Sequence, residues 1–433
     1  MKRLNILISA HEFSPDQGSE CAVGWNFVQN LSKYHNITVI YAETNQFGTS
    51  NYKQSVKKFL KKEGNYNNVK LIAIPQPKKT LFLAQINRFF SPYKTSIGFP
   101  PIYYLAYNFW QKEVFRIAKQ LHEVQKYDCV HQLTSISFRE PGYLYKLNIP
   151  FIWGPISGLV KFPYAFARTL SLKNLLFELI RRLSNWLIIN LSYRHKIVLK
   201  KASVIYTVTN DDYNYYQLKS GSNVKRMLDV GAYENSTTEI KTIAKDNSKI
   251  KLLWVGRIVD TKGLDLLLTS ISQSDILKNQ TQLTIVGDGP LRNKSEKLIT
   301  KLGLTNIECK GNITHKDVFE LMGTSDALIF SSIKEATSAV VLESLTFGLP
   351  VICHDAFGMS YAINDTCGIK IPLISPAKSI DGFKEALLKI VNHPDELSLL
   401  KTGALERAKE LTWDSMAKII AEDYNSIALT KSK

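Results

Sequence analysis

Short apolar runs separated by amphipathic helical stretches recur along this 433-residue chain, and the alternation starts afresh past its midpoint. In the first half the runs are Leu4–Ser9, Ile37–Ala42, Val69–Ile74, Cys129–Leu133, Phe151–Trp153 and Val204–Val208. Helical patterns such as Glu20–Lys33 and Ala106–Glu123 lie between them. In the second half Ile250–Gly256, Gln282–Val286, Asn306–Cys309, Ala327–Phe330 and Pro350–Cys353 repeat the rhythm, with a helix from Leu264 and another over Ser338–Phe347. Continuous apolar strands with helical crossovers predict parallel sheets covered on both faces. Two such α/β units in tandem are expected, joined near 220–245, where Tyr233–Glu239 is polar. Beyond Cys367 come three helical stretches, the last over Trp413–Ala428. The expected division is 1–230, 231–412 and a terminal helix at 413–433.

Composition narrows the class. Apolar content of 45% and charged content of 21% are those of a water-soluble globular chain. No run of 18 apolar residues suggests a membrane-spanning helix, and Met1–Ala10 reads as a first buried strand rather than a leader. Five cysteines without metal-ligand spacing suggest reduced thiols in a cytosolic protein. The net charge of +17 is lopsided: residues 1–230 hold 31 Lys and Arg against 13 Asp and Glu, whereas residues 231–433 hold 24 against 25. A surface like that of the first half attracts anions, whether nucleic acid, lipid headgroups or a phosphorylated acceptor. No nucleic-acid reader motif appears, so a nucleic-acid-binding protein is the weaker alternative.

Two segments of the first half break the rhythm. Leu170–Asn190 has a wide apolar face opposed by basic residues. It fits a core helix or a surface helix lying on an anionic membrane with Trp186, Arg181 and Arg182 at the headgroups. Residues 78–110 gather aromatics (Phe82, Phe89, Phe90, Tyr93, Tyr103, Tyr107 and Trp110 among them) with Lys78, Lys79, Arg88 and Lys94, either as a packed excursion or as an acceptor or lipid contact.

The second half carries the chemistry. Glu335 and Glu343 stand eight positions apart, one in a strand-to-helix loop and one on the helix that follows. The free N–H groups of a helix start lie between them, around Ser338, Ala339 and Val340. A carboxylate at each end of an anion site suits hydroxyl-rich groups joined by phosphate, as in a nucleotide sugar. Val255-Gly256-Arg257 with Lys262-Gly263 follows another strand, and its two cations suit a diphosphate at the carboxyl end of a sheet. Gly256 is read there as a turn residue with free φ. Gly287-Asp-Gly289-Pro290 marks a further tight turn. Neither the dinucleotide glycine fingerprint nor a P-loop is present.

Taken in order, Val-Gly-Arg with Lys-Gly, Gly-Asp-Gly-Pro, and Glu-x7-Glu ending in Gly-Leu-Pro-Val resemble the retaining glycosyltransferases of family 4. In the first half Ser14–Glu20 with Val23-Gly-Trp25, Asp128-Cys-Val-His131 and Ile152–Gly158 are similar to a bacterial branch that builds envelope polysaccharides. The resemblance implies the GT-B fold: two Rossmann-like parallel-sheet domains facing across a cleft, with the C-terminal helix crossing back to the first. It implies that Arg257 and Lys262 neutralise the donor diphosphate, that Glu343 meets the ribose, and that Glu335 holds the donor sugar. Gly18 would then let the first-domain loop approach the phosphates, and the base would rest near Gly311 and Asn312. A lone histidine in a Val-His-Gln setting is more often structural, yet in this company His131 is expected to face the donor sugar as a catalytic residue. Glu20 is read as a helix-start carboxylate. Arg139 and Glu140 are read as exposed charges.

The expected function is a retaining transferase of the hexosyltransferase type. It would act without metal or other cofactor, on a nucleoside diphosphate sugar and a lipid-linked or oligosaccharide acceptor of capsule, O-antigen or exopolysaccharide assembly. Its place would be the cytoplasmic face of an anionic membrane, with no nucleic-acid partner. A non-hydrolysing sugar-nucleotide epimerase of the same fold is the rival enzyme. Two departures from the family pattern stand out. Ala336-Thr-Ser-Ala339 replaces the usual glycine after the first glutamate, and Gln17-Gly18 stands where many members have two glycines.

Overall fold

The computed structural model describes residues 2–18, 20–64, 68–90, 98–233 and 249–430. Thirteen strands form two all-parallel sheets among these residues. The first holds β1 (Asn5–Ala10), β2 (Asn36–Ala42), β3 (Val69–Ile74), β4 (Cys129–Thr134), β5 (Phe151–Ile156), β6 (Ala202–Thr207) and β7 (Asn223–Arg226), in the order β3-β2-β1-β4-β5-β6-β7. The second holds β8 (Ile250–Val255), β9 (Thr281–Val286), β10 (Ile307–Gly311), β11 (Ala327–Phe330), β12 (Val351–His354) and β13 (Gly368–Ile371), in the order β10-β9-β8-β11-β12-β13. In both sheets the strand order reverses beside the first strand, at β1/β4 and at β8/β11. A crevice opens at such a reversal beyond the strands' carboxyl ends, so ligands settle there.

The central strands are buried on both faces; β4 and β5 contain no exposed residue. This explains why they read as unbroken apolar runs rather than as alternations. The helix Trp413–Thr430 returns to the first domain. Trp413 N donates to Ala232 O at 3.2 Å, its ring meets Phe27 edge-on at 5.2 Å, and Asp423 accepts from Tyr206 Oη at 2.5 Å and from Lys225 Nζ at 2.6 Å. Gly231 admits that indole: a Cβ there would lie 2.7 Å from it.

His131 departs from its expected place. It is fully buried in β4, with Nδ1 2.6 Å from the Tyr424 hydroxyl and Nε2 2.6 Å from Gly154 O. Both ring nitrogens are thus engaged in fixing the returning helix and β5, and burial pushes the imidazole pKa down to about 4. It faces no cleft. Arg139 and Glu140 are likewise not exposed charges. Glu140 is 4% exposed and takes a two-pronged ion pair from Arg194 at 3.0 Å, while Arg139 lies over the Phe138 ring at 4.8 Å.

Leu170–Asn190 resolves in favour of a surface helix. The helix Leu172–Leu191 leaves Leu172 86%, Leu183 59% and Trp186 57% exposed. In the aromatic excursion Tyr103, Tyr107 and Trp110 are buried while Phe82 and Phe89 are exposed; Tyr93 and Lys94 lie outside the described residues. So does the joining segment from residue 234 to 248.

Candidate donor-sugar site

Four loops at the carboxyl ends of the second sheet build the site, and glycines let them lie flush. Gly256 N donates to Val286 O at 3.0 Å and Ile258 N to Asp288 O at 2.9 Å, tying the loop after β8 to the loop after β9. Gly287 has φ +125°, and a Cβ there would sit 2.0 Å from Gly256 O; a Cβ on Gly289 would sit 2.3 Å from Ile258 O. Gly256 itself is not the residue that needs special freedom. Its φ is not positive, and a Cβ would meet nothing nearer than 3.5 Å. The steric demand sits on its partner Gly287.

After Gly256 the chain makes a short 3-10 turn, Asp260–Lys262, closed by Gly263 at φ +59°. Gly263 passes so close to the β11 loop that a Cβ would be 2.4 Å from Ser331 O. Ser331 Oγ donates to Lys262 O at 2.9 Å and accepts from Trp254 Nε1 at 3.1 Å, which fixes the backbone that aims Lys262. The Lys262 ammonium lies in direct ion-pair contact with the Glu335 carboxylate and 5.3 Å from the centre of the Phe330 ring. Two residues 73 positions apart, each a candidate site residue, are thereby brought together. Arg257 is exposed and forms no ion pair among the described residues.

Beyond Glu335, the loop is braced by Gly358, whose N–H donates to Ala336 O at 2.8 Å. The helix Ala339–Thr346 then begins with Ser338 as N-cap, its side chain making no capping bond. The first N–H groups of an α-helix lack intrahelical acceptors, and those of this helix follow Glu335 by a few residues. One turn on, Glu343 is 15% exposed with Oε1 3.3 Å from His315 Nε2. Burial pushes its carboxyl pKa up, against the opposing pull of His315. At the end of β10, Gly311 adopts φ +66° and its carbonyl accepts from Gly287 N at 2.8 Å, leaving Asn312 exposed beside it.

The first domain contributes the facing wall. Gly18 is exposed, and a Cβ there would meet no atom within 4 Å, so no protein contact demands a glycine at this point. Glu20 opens the helix Glu20–Leu31 and accepts from Ile136 N at 3.4 Å. Burial, reinforced by the Glu12 charge, raises its pKa to about 8. Asp229, just after β7, is 7% exposed and faces Thr337; burial raises its pKa, and the nearby Glu335 charge adds to the effect.

Sequence reasoning missed Asp229, His315 and a first-domain strap that grips the donor loops. Phe166, fully buried, leaves the first domain to pack with Leu266 and Ile333 of the second. Asn174 Nδ2 donates to Asp260 Oδ2 at 2.7 Å, and Glu178 pairs with both Arg181 and Lys334, the neighbour of Glu335. The only advance signal was the odd composition of residues 158–202, which says that the segment is unusual and not what it touches.

Two parallel-sheet Rossmann-like domains in tandem are the architecture of the GT-B glycosyltransferases. Residues 235–407 match the family model described as Glycosyl transferases group 1, and the chain carries a domain of that family. Relatives include the D-rhamnosyltransferase WbpZ of Pseudomonas aeruginosa, 27% identical over 48% of this chain and 54% of that one. The lipopolysaccharide glucosyltransferase WaaG of Escherichia coli is 36% identical over 28% and 32%. The chain spans about half or less of the length of the curated relatives it matches. Among solved structures, the lipopolysaccharide outer core galactosyltransferase WaaB superposes with a TM-score of 0.62 at 14% identity, covering 99% of this chain and all of that one. HepE of Anabaena, in complex with UDP, superposes at 0.59 and 14%, covering 98% and 100%. Likeness at this identity concerns the fold.

Proposed function

We propose that this chain is a family 4 glycosyltransferase that moves a sugar, with retention, from a nucleoside diphosphate to a lipid-linked glycan in bacterial envelope polysaccharide assembly. The observation that carries this reading is the Lys262–Glu335 pair, set beside Arg257 and a helix start at the β8/β11 reversal. Arg257 and Lys262 meet the diphosphate charge as the glycosidic bond breaks, without a metal ion. Lys262 turns from Glu335 to phosphate, which releases the carboxylate to accept hydrogen bonds from the donor sugar. Ser338, Ala339 and Val340 offer backbone N–H groups to phosphate or sugar. Glu343 accepts from the ribose hydroxyls, and the base rests along Gly311 and Asn312. That HepE is known with UDP is in keeping with such a donor. The acceptor hydroxyl attacks from the face the diphosphate leaves and passes its proton to a leaving phosphate oxygen, so the new bond keeps the old configuration. His131 has no part in these steps.

No helix among the described residues is long and apolar enough to cross a membrane. The reading places the enzyme on the inner membrane surface through the exposed stripe Leu176, Ile180, Leu183 and Leu187, residues 40% to 59% exposed. Incubating the chain with UDP-, GDP- and ADP-sugars plus membrane extract, followed by mass spectrometry, tests the proposal. A glycosylated lipid product lost in Lys262→Ala and Glu335→Ala supports it. Full activity in both variants overturns the site, and conversion of the sugar without an acceptor marks an epimerase instead.

A further inference from the structure

Where the first domain meets the loop that carries Glu335, one acid and one hydroxyl are left without a partner. Asp229 follows β7, is 7% exposed, and accepts no hydrogen bond at Oδ1 among the described residues. Thr337, close behind Glu335, has a buried Oγ that is equally unengaged. The two side chains face each other: burial raises the Asp229 pKa, and the Thr337 hydroxyl opposes that rise. Even so, Asp229 Oδ1 and Thr337 Oγ close no hydrogen bond on each other. Buried polar atoms of folded chains are nearly always paired, so an orphan on each side of one gap points to a missing third group.

The fold holds these two groups in register. On the first-domain side, Arg226 of β7 lies over the Tyr361 ring at 5.0 Å, and Asn210 Nδ2 donates to Ser360 Oγ at 2.7 Å. The loop that carries Ser360 and Tyr361 also carries Gly358, whose N–H braces Ala336 O. Gly358 lies so close under the donor loop that a Cβ there would be 2.4 Å from Ala336 O and 2.7 Å from Thr337 Oγ. The end of β7 and the loop after Glu335 are thus fastened to one element, with Asp229 on one side and Thr337 on the other. Thr337 belongs to Ala336–Ala339, the stretch that departs from the family pattern, so the pair is particular to this chain.

The chemistry of the two groups selects what completes them. A carboxylate oxygen accepts, whereas a threonine hydroxyl both donates and accepts. A phosphate brings no proton for Asp229 and would meet the charge of Glu335, which already acts on Asp229. One sugar hydroxyl answers both orphans: it donates to Asp229 Oδ1 and accepts from Thr337 Oγ. We propose that Asp229 and Thr337 together bind one hydroxyl of the donor sugar and so determine which hexose the site accepts. This assignment rests on the transferase reading and adds two specificity residues to it. A buried pair built for a hydroxyl rejects the analogue that lacks it, because both of its groups then stay unpaired.

A deoxy series tests it. The full chain is screened with membrane extract and the UDP-, GDP- and ADP-linked forms of glucose, galactose and mannose. The best donor then competes with its own 2-, 3-, 4- and 6-deoxy forms, and the mass ratio of the two products gives the ratio of kcat/KM. One deoxy form should lag its hexose by about 10³-fold or more. Asp229→Ala and Thr337→Val should each reduce that one ratio to within about tenfold, while losses at hydroxyls met by Glu335 persist. The thermal shift given by the matching nucleoside diphosphate should stay unchanged in both variants, since neither residue is placed against it. Turnover of none of these nucleotides overturns the transferase reading, and this assignment with it. Equal use of all four deoxy forms by the parent chain, or discrimination that survives in both variants, overturns the assignment alone and leaves water between the two groups.

Discussion

Replacing His131 by Gln tests whether this residue belongs to the core or to the cleft. Burial lowers its pKa from 6.5 to about 4 in the folded chain. Below pH 6.5 the unfolded chain therefore takes a proton that the folded chain refuses. The stability contributed by the neutral ring is present above 6.5 and is lost as pH falls toward 4. At 1.36 kcal/mol per pKa unit the loss amounts to about 3 kcal/mol. Glutamine cannot take that proton. Whatever the variant costs at neutral pH through its altered bonds to Tyr424 and Gly154, the gap between the two proteins should narrow by about 3 kcal/mol between pH 7.5 and pH 4. Glu20 and Asp212 have raised pKa values, about 8 and about 6, and so act in the opposite sense. Both are present in both proteins and cancel in the comparison. Urea unfolding followed by tryptophan fluorescence at a series of pH values reads the gap. A gap that stays constant would mean that His131 titrates as a solvent-reached group, and its placement here would be wrong.

Three further outcomes are expected. Lys262→Ala should lower kcat/KM about 10²- to 10³-fold in a donor-turnover assay, the loss typical of a group that stabilises charge in the transition state. Phe166→Ala removes a fully buried ring from a cluster whose other buried members are Leu266 and Ile333. It should cost about 3–5 kcal/mol of contact across the domains, seen as new proteolytic cleavage near residues 162–175 and weaker UDP binding by calorimetry. Gly287→Ala should destabilise by more than about 1 kcal/mol in chemical denaturation because its φ is positive and the methyl meets Gly256 O, whereas Gly256→Ala should unfold almost as the parent does.

The fold was readable because parallel strands buried on both faces leave continuous apolar runs. Val69–Ile74 and Ala327–Phe330 have the bounds expected, and most other strands differ by one to three residues at an end. β7 and β13 escaped because Asn223–Arg226 and Gly368–Ile371 carry polar or charged residues at sheet edges, where one side is open. That Lys262 and Glu335 belong to loops after strands was legible from two motifs, whereas their ion pair was not, because it depends on β8 and β11 being neighbours in the sheet. His131 misled because a histidine at a strand's centre looks the same in sequence whether its ring meets a ligand or a distant helix. Its partner Tyr424 is 293 positions away. Asp229 and Phe166 were illegible for the same reason: each acts across the domain boundary, and local pattern carries no record of that.

The strap changes how the cleft must be understood. Two loops of the second domain carry the proposed donor contacts, yet Asp260 in one and Lys334 in the other are held by Asn174 and Glu178 of the first. These ties include hydrogen bonds to the Asp260 carboxylate from Asn174 Nδ2 at 2.7 Å and Ser171 N at 3.4 Å, the Glu178–Lys334 ion pair, and an apolar cluster of Phe166, Leu266 and Ile333 with Phe162, Leu373 and Ile380 against it. The shorter bond contributes about 1.5–3 kcal/mol and a partly exposed ion pair less than about 1. The buried Phe166 ring adds the larger share, so the joint is strong enough to set loop positions. The helix that makes it also leaves Leu176, Leu179, Ile180, Leu183, Trp186 and Leu187 exposed. Any displacement of that helix is therefore passed through the Glu178–Lys334 pair to the residue next to Glu335.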